Sequence, residues 1–136
     1  MKKLHLITLV AVSLLIASCS TSGKAVDNAS IQGDWMILSA LGISTASGEE
    51  TPYIKFDGKE KVNGFAGVNR FFGSYQCTKG KLTFSSMGMT RMMGPNMQIE
   101  DSVSKALGKV DRVRIKGTSA TLYDAQGKAV ITMKRK

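Results

Sequence analysis

After residue 30 the apolar segments of this chain are short, and the connections between them leave no room for crossovers. Each segment spans four to eight residues and is bounded by turn-forming residues. Asp57-Gly58 and Thr78-Lys79-Gly80 are typical of hairpin turns. Strands joined by such turns run antiparallel, so the sequence predicts an antiparallel sheet. The predicted strands are residues 33–40, 53–56, 61–66, 71–77, 81–85, 110–116, 119–123 and 129–134.

One segment, residues 95–108 (PNMQIEDSVSKALG), predicts a helix instead. Its apolar side chains recur at helical spacing, at Ile99, Val103, Ala106 and Leu107. Asn96 is a good N-cap and Gly108 can end the helix. Glu100 and Asp101 are interpreted as charges that the positive end of the helix favours.

These patterns predict an α+β fold, a strongly curved and barrel-like antiparallel sheet of seven or eight strands with one helix packed on it. About 106 residues follow residue 30, which suits one domain with one core. The predicted core comprises Trp35, Ile37, Ile54, Phe56, Phe65, Phe84, Ile99, Val103, Leu107, Ile115, Leu122 and Ile131.

The first twenty residues have the composition of an export signal. Lys2 and Lys3 precede an apolar run shorter than the ~20 residues of a spanning helix. The run ends in residues 16–19, IASC, which resemble the bacterial lipobox. That resemblance implies lipidation of Cys19 and cleavage just before it. An ordinary signal peptide with a chance cysteine is the alternative.

The chain is therefore divided into a lipoprotein signal peptide (1–18), a lipidated N-terminus with a flexible tether (19–30) and one domain (31–136). A polar tether of this length spans ~18 Å. Ser20 after the cysteine favours the outer membrane by the sorting rule that the resemblance implies. We expect a lipid anchor in that membrane and a domain facing the periplasm.

Charge and residue types limit the function. The 19 bases and 10 acids become a net +7 once residues 1–18 are removed. An exported protein does not meet the genome, so we expect no nucleic acid partner. The basic stretches 109–116 and 134–136 are interpreted as solvated faces, with an anionic envelope component as the alternative.

Histidine is absent after the predicted signal peptide, because the only one is His5. This excludes Ser-His and Cys-His catalysis and histidine-ligated metal sites from the mature chain. No nucleophile with a base is recognisable, so we predict no enzyme, no catalytic residue and no cofactor.

The segment VNGFAGVNRFFGSY, residues 62–75, is rich in glycine, asparagine and aromatic residues. It lacks the Gly-Lys-Ser/Thr of a P-loop and the basic residues of a KH loop. We interpret it as scaffold, in which Gly64 and Gly67 allow tight strand crossing and Asn69 and Arg70 bond the loop around Thr90. The alternative is a binding rim, formed by Arg70, Phe71, Phe72 and Arg91.

Five of the eight methionines lie within eleven residues, at Met87, Met89, Met92, Met93 and Met97. Methionine fills irregular cores, and core packing is the interpretation we favour. Thioethers also bind Cu(I), so a copper site in this loop is the alternative.

Five sequence features form a combined pattern: Trp35, VNGFAGVNRFFGSY, LTFSSMGMTRMMGPNM, Glu100 and the strand end from Leu122 to Asp124. Over residues 31–134 this pattern resembles the META domain of HslJ-type bacterial lipoproteins. Family members commonly have cysteines where this chain has Val68 and Gly94. The resemblance implies that these form a disulfide elsewhere, which leaves Cys77 without an evident partner here.

The resemblance implies an envelope protein connected with heat induction, antibiotic tolerance, secretion and motility. We therefore predict a non-catalytic, lipid-anchored envelope module that supports stress homeostasis by binding an envelope protein or an anionic envelope component. The alternative function is Cu(I) handling through the methionine-rich loop.

Overall fold

A computed structural model describes residues 25–136, in which eight antiparallel strands close into a barrel. Strands adjacent in the chain pair from β3 to β9, and β1 pairs with both β3 and β9. The predicted α+β fold with a barrel-like antiparallel sheet is confirmed. The strands are β1 (Gly33–Ala40), the extra strand β2 (Ile43–Ser44), β3 (Tyr53–Phe56), β4 (Lys61–Phe65), β5 (Arg70–Thr78), β6 (Lys81–Met89), β7 (Arg112–Lys116), β8 (Ser119–Tyr123) and β9 (Ala129–Arg135).

The core lies inside the barrel because inward and outward side chains alternate along each strand. In β5, Phe71, Tyr75 and Cys77 are buried, whereas Phe72 and Gln76 are exposed. Nine of the twelve predicted core residues are buried. The other three, Phe65, Phe84 and Ile115, are half-buried.

The predicted helix is α2 (Met97–Leu107), and it packs on β1, β2 and β9. Its buried face includes Ile99, Val103 and Leu107. Asn96 precedes the helix but makes no side-chain capping hydrogen bond. The helix ends at Gly108, whose N–H donates to carbonyl oxygens of the last turn.

Residues 25–31 pack against the barrel. Val26 is buried, and its carbonyl oxygen accepts from Gly80 N–H at 2.8 Å. A second helix, α1 (Asn28–Ile31), follows. The structure adds this four-residue helix to the predicted helix α2, and a buried valine and a capped turn hold residues 25–31 on the sheet, within the segment predicted to be a tether.

The predicted signal peptide and Cys19 lie outside the described residues. Every strand of the closed barrel lies within residues 25–136. Within it, no helix is both long and apolar enough to cross a membrane.

Candidate functional site

The first turn of α2 directs the Glu100 carboxylate into the loop between β4 and β5. Glu100 is only 5% exposed. Its Oε2 accepts from the backbone N–H groups of Val68, at 2.8 Å, and Asn69. Its Oε1 accepts from Asn69 Nδ2 at 2.6 Å. Glu100 therefore fixes a loop, and its interpretation as a helix-end charge missed this role.

Asn69 connects the same loop to the segment after β6. Its Nδ2 donates to the Met92 carbonyl oxygen at 2.9 Å. Its Oδ1 accepts from Thr90 Oγ1 at 2.9 Å and from Met92 N–H at 2.7 Å. Both amide protons and both acceptor positions of the side chain are used. The residues Asn69, Thr90 and Glu100, with the backbone of Val68 and Met92, are called the Asn69 cluster below.

Arg70 joins the 90–92 segment through its backbone alone. Its N–H donates to Thr90 Oγ1 at 3.1 Å, and its carbonyl oxygen accepts from Thr90 N–H at 3.0 Å. The guanidinium instead donates to Tyr53 Oη at 3.0 Å. The structure thus contains the predicted hydrogen bonds of Asn69 and Arg70 to the loop around Thr90, with the Arg70 side chain directed elsewhere.

Two glycines of the 62–75 segment permit β4 to approach its neighbouring strands and the β4–β5 loop to approach α2. A Cβ at Gly64 would lie 2.2 Å from the Tyr53 carbonyl oxygen and 2.4 Å from Phe71 Cζ. Gly67 has a φ of +133°, and a Cβ there would lie 3.1 Å from Glu100 N. Larger residues would separate the strands or displace the start of α2. The glycines therefore act as scaffold.

An open groove of roughly 530 Å³ lies beside this cluster. It exists because β6 pairs with β7 at a single position, Lys81 with Arg112, and diverges beyond it. The C-terminal part of α2 forms the opposite wall. The apolar lining includes Phe71, Leu82, Phe84, Met87, Met89 and Leu107, with Arg91 and Ser104 among the polar groups.

Large apolar side chains are exposed next to the groove. Phe72 is 57% exposed, and its ring lies against Gly88, where a Cβ would be 2.7 Å from Phe72 Cε2. Met92 and Met93, directly after the groove residue Arg91, are 60% and 86% exposed. We call Phe72, Met87, Met92 and Met93 the methionine rim.

Two predictions about these side chains need correction. Met87, Met92 and Met93 are exposed, so core packing is wrong for them, while Met89 and Met97 are half-buried. The Met92 backbone is held by Asn69, which leaves the side chain outside. Phe71 is buried and lines the groove together with Arg91, whereas Arg70 and Phe72, its neighbours in β5, face the other side of the strand, so the four side chains do not form one rim.

Cys77 is a free, buried thiol far along β5 from the Asn69 cluster. Its backbone N–H donates to Asn28 Oδ1 at 2.6 Å, and its Sγ contacts the Val26 carbonyl oxygen at 3.6 Å. Burial raises the pKa of Cys77 to about 11. A thiol with this pKa is unreactive at neutral pH.

Val68 and Gly94 are neighbours in space. A Cβ at Gly94 would lie 3.6 Å from Val68 Cβ. Disulfides join Cβ atoms about 3.5–4.5 Å apart. The two positions therefore have the separation of a disulfide, although this chain has no cysteine at either one.

Residues 25–136 contain no group of three or more histidine, cysteine or carboxylate side chains that could hold a metal ion. Methionine thioethers are a different ligand class, and three of them are exposed on the rim.

Comparison with known proteins decides the family. The META domain model matches residues 24–136. The chain belongs to the META domain family. The heat shock protein HslJ of Escherichia coli K12 is 32% identical to it over 122 residues, covering 86% of each chain.

Solved structures have the same fold. An NMR structure of a Burkholderia xenovorans protein is 28% identical, covers 77% of this chain and 82% of its own, and has a TM-score of 0.61. Another NMR structure, also 28% identical, covers 80% and 94% with a TM-score of 0.64. A DUF4847 family protein from Bacteroides vulgatus shares only the fold, with 11% identity over 77% of this chain and 93% of its own and a TM-score of 0.56.

Proposed function

We propose that this META domain protein is a non-catalytic, lipid-anchored module of the cell envelope that binds another envelope component under stress. The lipobox-like residues before Cys19 support the anchor. The similarity to a protein named for heat shock supports a stress-related role. A binding role is supported by the groove and the methionine rim.

The observation that carries the proposal is the exposure of Phe72, Met92 and Met93 beside a groove whose adjoining loop is fixed. Large apolar side chains that are exposed near a groove commonly mark interaction sites. Methionine adapts to irregular partner surfaces because its side chain is unbranched and polarizable. The partner class that fits is an envelope protein presenting an apolar segment to the groove.

A non-catalytic role is supported by how the polar groups are used. Glu100, the one fully buried carboxylate of residues 25–136, already accepts three hydrogen bonds from the 68–69 loop. Asp111, the carboxylate that lines the groove, is paired with Lys81 and Arg112. No histidine lies in residues 25–136. The groove is therefore suited to recognition rather than to proton transfer.

Site-specific photocrosslinking in intact cells tests the binding site. A photoreactive residue placed at Met93 or Phe72 should capture a discrete envelope protein. Leu38, which is 45% exposed on β1, is the matched control and should capture none. Capture from Leu38 alone, or the same products from all three positions, would contradict the proposed surface.

The anchor has its own test. Cys19→Ala should shift the protein from the membrane to the soluble fraction of the envelope and remove the acyl mass from the mature N-terminus. Unchanged membrane association and processing would reject lipidation.

Cu(I) handling is the second candidate, and the exposure of Met87, Met92 and Met93 is the observation that favours it. Competition with a chromogenic Cu(I) chelator tests it in the purified chain. Stoichiometric capture that disappears in Met92→Leu plus Met93→Leu would establish copper binding. No capture would leave the rim as a protein-binding surface.

A further inference from the structure

The positive charge of this protein is concentrated in its last third. Residues 102–136 contain nine bases and two acids, a net +7, whereas residues 25–101 contain seven bases and eight acids, a net −1. The last third forms the end of α2 and the strands β7, β8 and β9. One wall of the barrel therefore holds nearly all of the excess charge.

The strand pattern turns this charge outward. In β7, Arg112, Arg114 and Lys116 are exposed, while Val113 and Ile115 face inward. The β8 residues paired with these three bases are Tyr123, Thr121 and Ser119, which carry no negative charge. Strands β7, β8 and β9 contain no carboxylate at all. We call the outer surface of β7–β9 the basic face.

The two acidic residues in residues 102–136 neutralise little of the positive charge there. Asp111 lies 3.8 Å from Lys81 Nζ and 3.5 Å from Arg112 Nε, in pairs whose bases are 64% exposed. Such exposed pairs are weak. One Asp124 carboxylate oxygen accepts from the backbone N–H groups of Gln126 and Lys128 in the β8–β9 turn. Arg114 and Lys116 make no ion pair within residues 25–136.

The N-terminal segment joins the barrel at the edge of this face. Ala25 and Val26 line a depression together with Lys79, Arg112 and Arg114. Ala25 is six positions after Cys19, and a fully extended chain of that length spans ~20 Å. A lipid on Cys19 would therefore keep the basic face close to the bilayer surface.

We propose that the basic face docks on the anionic lipid headgroups of the membrane that carries the anchor, an inference that rests on the proposed lipidation of Cys19. Basic residues near an anionic bilayer gain favourable electrostatic energy that is lost beyond about 8 Å at physiological salt. The short connection supplies the proximity that this range requires. Docking would fix which side of the barrel faces away from the membrane and toward a partner.

The test uses residues 25–136, which contain the complete barrel, so that no lipid or signal segment contributes. Binding is measured by vesicle sedimentation at about 0.1 M salt, with phosphatidylcholine alone and with 30% phosphatidylglycerol. We expect binding only to the anionic vesicles. Replacing three basic residues in Arg112→Gln/Arg114→Gln/Lys116→Gln should weaken it roughly a hundredfold, about fivefold for each charge.

The matched control removes three charges from the opposite wall, in Lys55→Gln/Lys59→Gln/Lys61→Gln, because β3 and β4 lie across the eight-stranded barrel from β7 and β8. This variant should lose less than about threefold. Equal losses in both variants, or equal binding to neutral vesicles, would overturn the proposal. Selective loss of heparin binding with unchanged vesicle binding would also overturn it and assign the face to a soluble polyanion.

If the triple variant unfolds, single variants still test whether the basic face binds anionic vesicles. The single variants Arg114→Gln and Lys116→Gln, each expected to lose about fivefold, then replace it. The result is also separable from the anchor. Absence of lipid on Cys19 in cells would reject the anchor and leave vesicle selectivity standing, whereas loss of selectivity would reject docking and leave the anchor standing.

Discussion

The Asn69 cluster and the methionine rim share one short segment, residues 90–93, yet the chain uses that segment in opposite ways. In the cluster, Glu100 and the Asn69 side chain are buried and fully hydrogen-bonded. On the rim, the side chains of Met92 and Met93 extend into solvent. The buried polar groups of the cluster are hydrogen-bonded, as is usual in a protein interior. The rim instead exposes large apolar side chains to solvent, which is unusual for a protein surface. We therefore expect the cluster to stabilise the fold and the rim to serve the proposed binding.

The first way to break this comparison is Glu100→Ala, for which we expect the largest effect. The change leaves two backbone N–H groups and the Asn69 amide without their acceptor inside the protein. Leaving buried donors unpaired should lower the free energy of unfolding by about 3–5 kcal/mol. Urea denaturation measures it.

Asp101→Asn is the matched control, since Asp101 is the next residue of the same helix and is exposed. It should change stability by less than about 0.5 kcal/mol. Similar effects of the two substitutions would show that Glu100 acts as a charge at the helix end and not through the cluster.

The second prediction tightens the junction between the two regions. Val68→Cys plus Gly94→Cys should form a disulfide on mild oxidation, because the Cβ atoms would be 3.6 Å apart. Closing this loop should raise the free energy of unfolding by about 3 kcal/mol. The reduced form of the same variant is the control. Failure of the pair to oxidise would mean that the 90–94 segment is not held against the β4–β5 loop as described.

The third prediction uses pH to separate the cluster from the rest of the core. The Cys77 thiol has its pKa raised to about 11 by burial. Above a pH of about 9 the unfolded chain loses this proton while the folded chain keeps it, so stability is full below pH 9 and falls as the pH rises toward 11. Two pH units correspond to roughly 2–3 kcal/mol.

Cys77→Ala is the control for this loss, because it removes the titrating group. The difference in stability between the parent and this variant should shrink by that amount from pH 8.5 to 11. Glu100→Ala should keep the full pH dependence, since the two residues share no hydrogen-bond partner. A pH dependence that vanishes in Glu100→Ala would show that the cluster and the Cys77 region are coupled.

The barrel and its helix could be predicted from sequence because the spacing of apolar residues and the turn-forming residues are local features of the chain. The eight strands of the barrel and α2 were all predicted, and most boundaries agree within two residues. The β6 strand was predicted to end at residue 85 and continues to Met89. The exposed residue Ser86 has a positive φ there and interrupts the alternation, which is a feature of tertiary pairing.

The site could be predicted less well, for two physical reasons. Asn69 was correctly expected to bond the loop around Thr90, because asparagine is a common side-chain partner of backbone groups. The role of Glu100 depends on a contact between residues more than 30 positions apart, which local pattern does not reveal. The methionine-rich composition predicts core packing, whereas Asn69 holds the Met92 backbone and the Met92 side chain is exposed.

The smallest expected effect on stability belongs to the rim, where two pairs of substitutions sharpen the comparison. Met92→Leu plus Met93→Leu keeps the rim apolar but removes its thioethers, while Met92→Ser plus Met93→Ser removes both properties. Because these side chains are 60% and 86% exposed, either pair should change the free energy of unfolding by less than about 0.5 kcal/mol. Photocrosslinking from Phe72 should survive the leucine pair and disappear in the serine pair, since the proposed partner would be held by apolar contact. Loss of crosslinking in the leucine pair would instead indicate that the thioethers are needed and would favour Cu(I).

A stability loss above about 1.5 kcal/mol in the leucine pair would show that the two side chains are packed. The distinction between a stabilising cluster and an exposed rim would then be wrong.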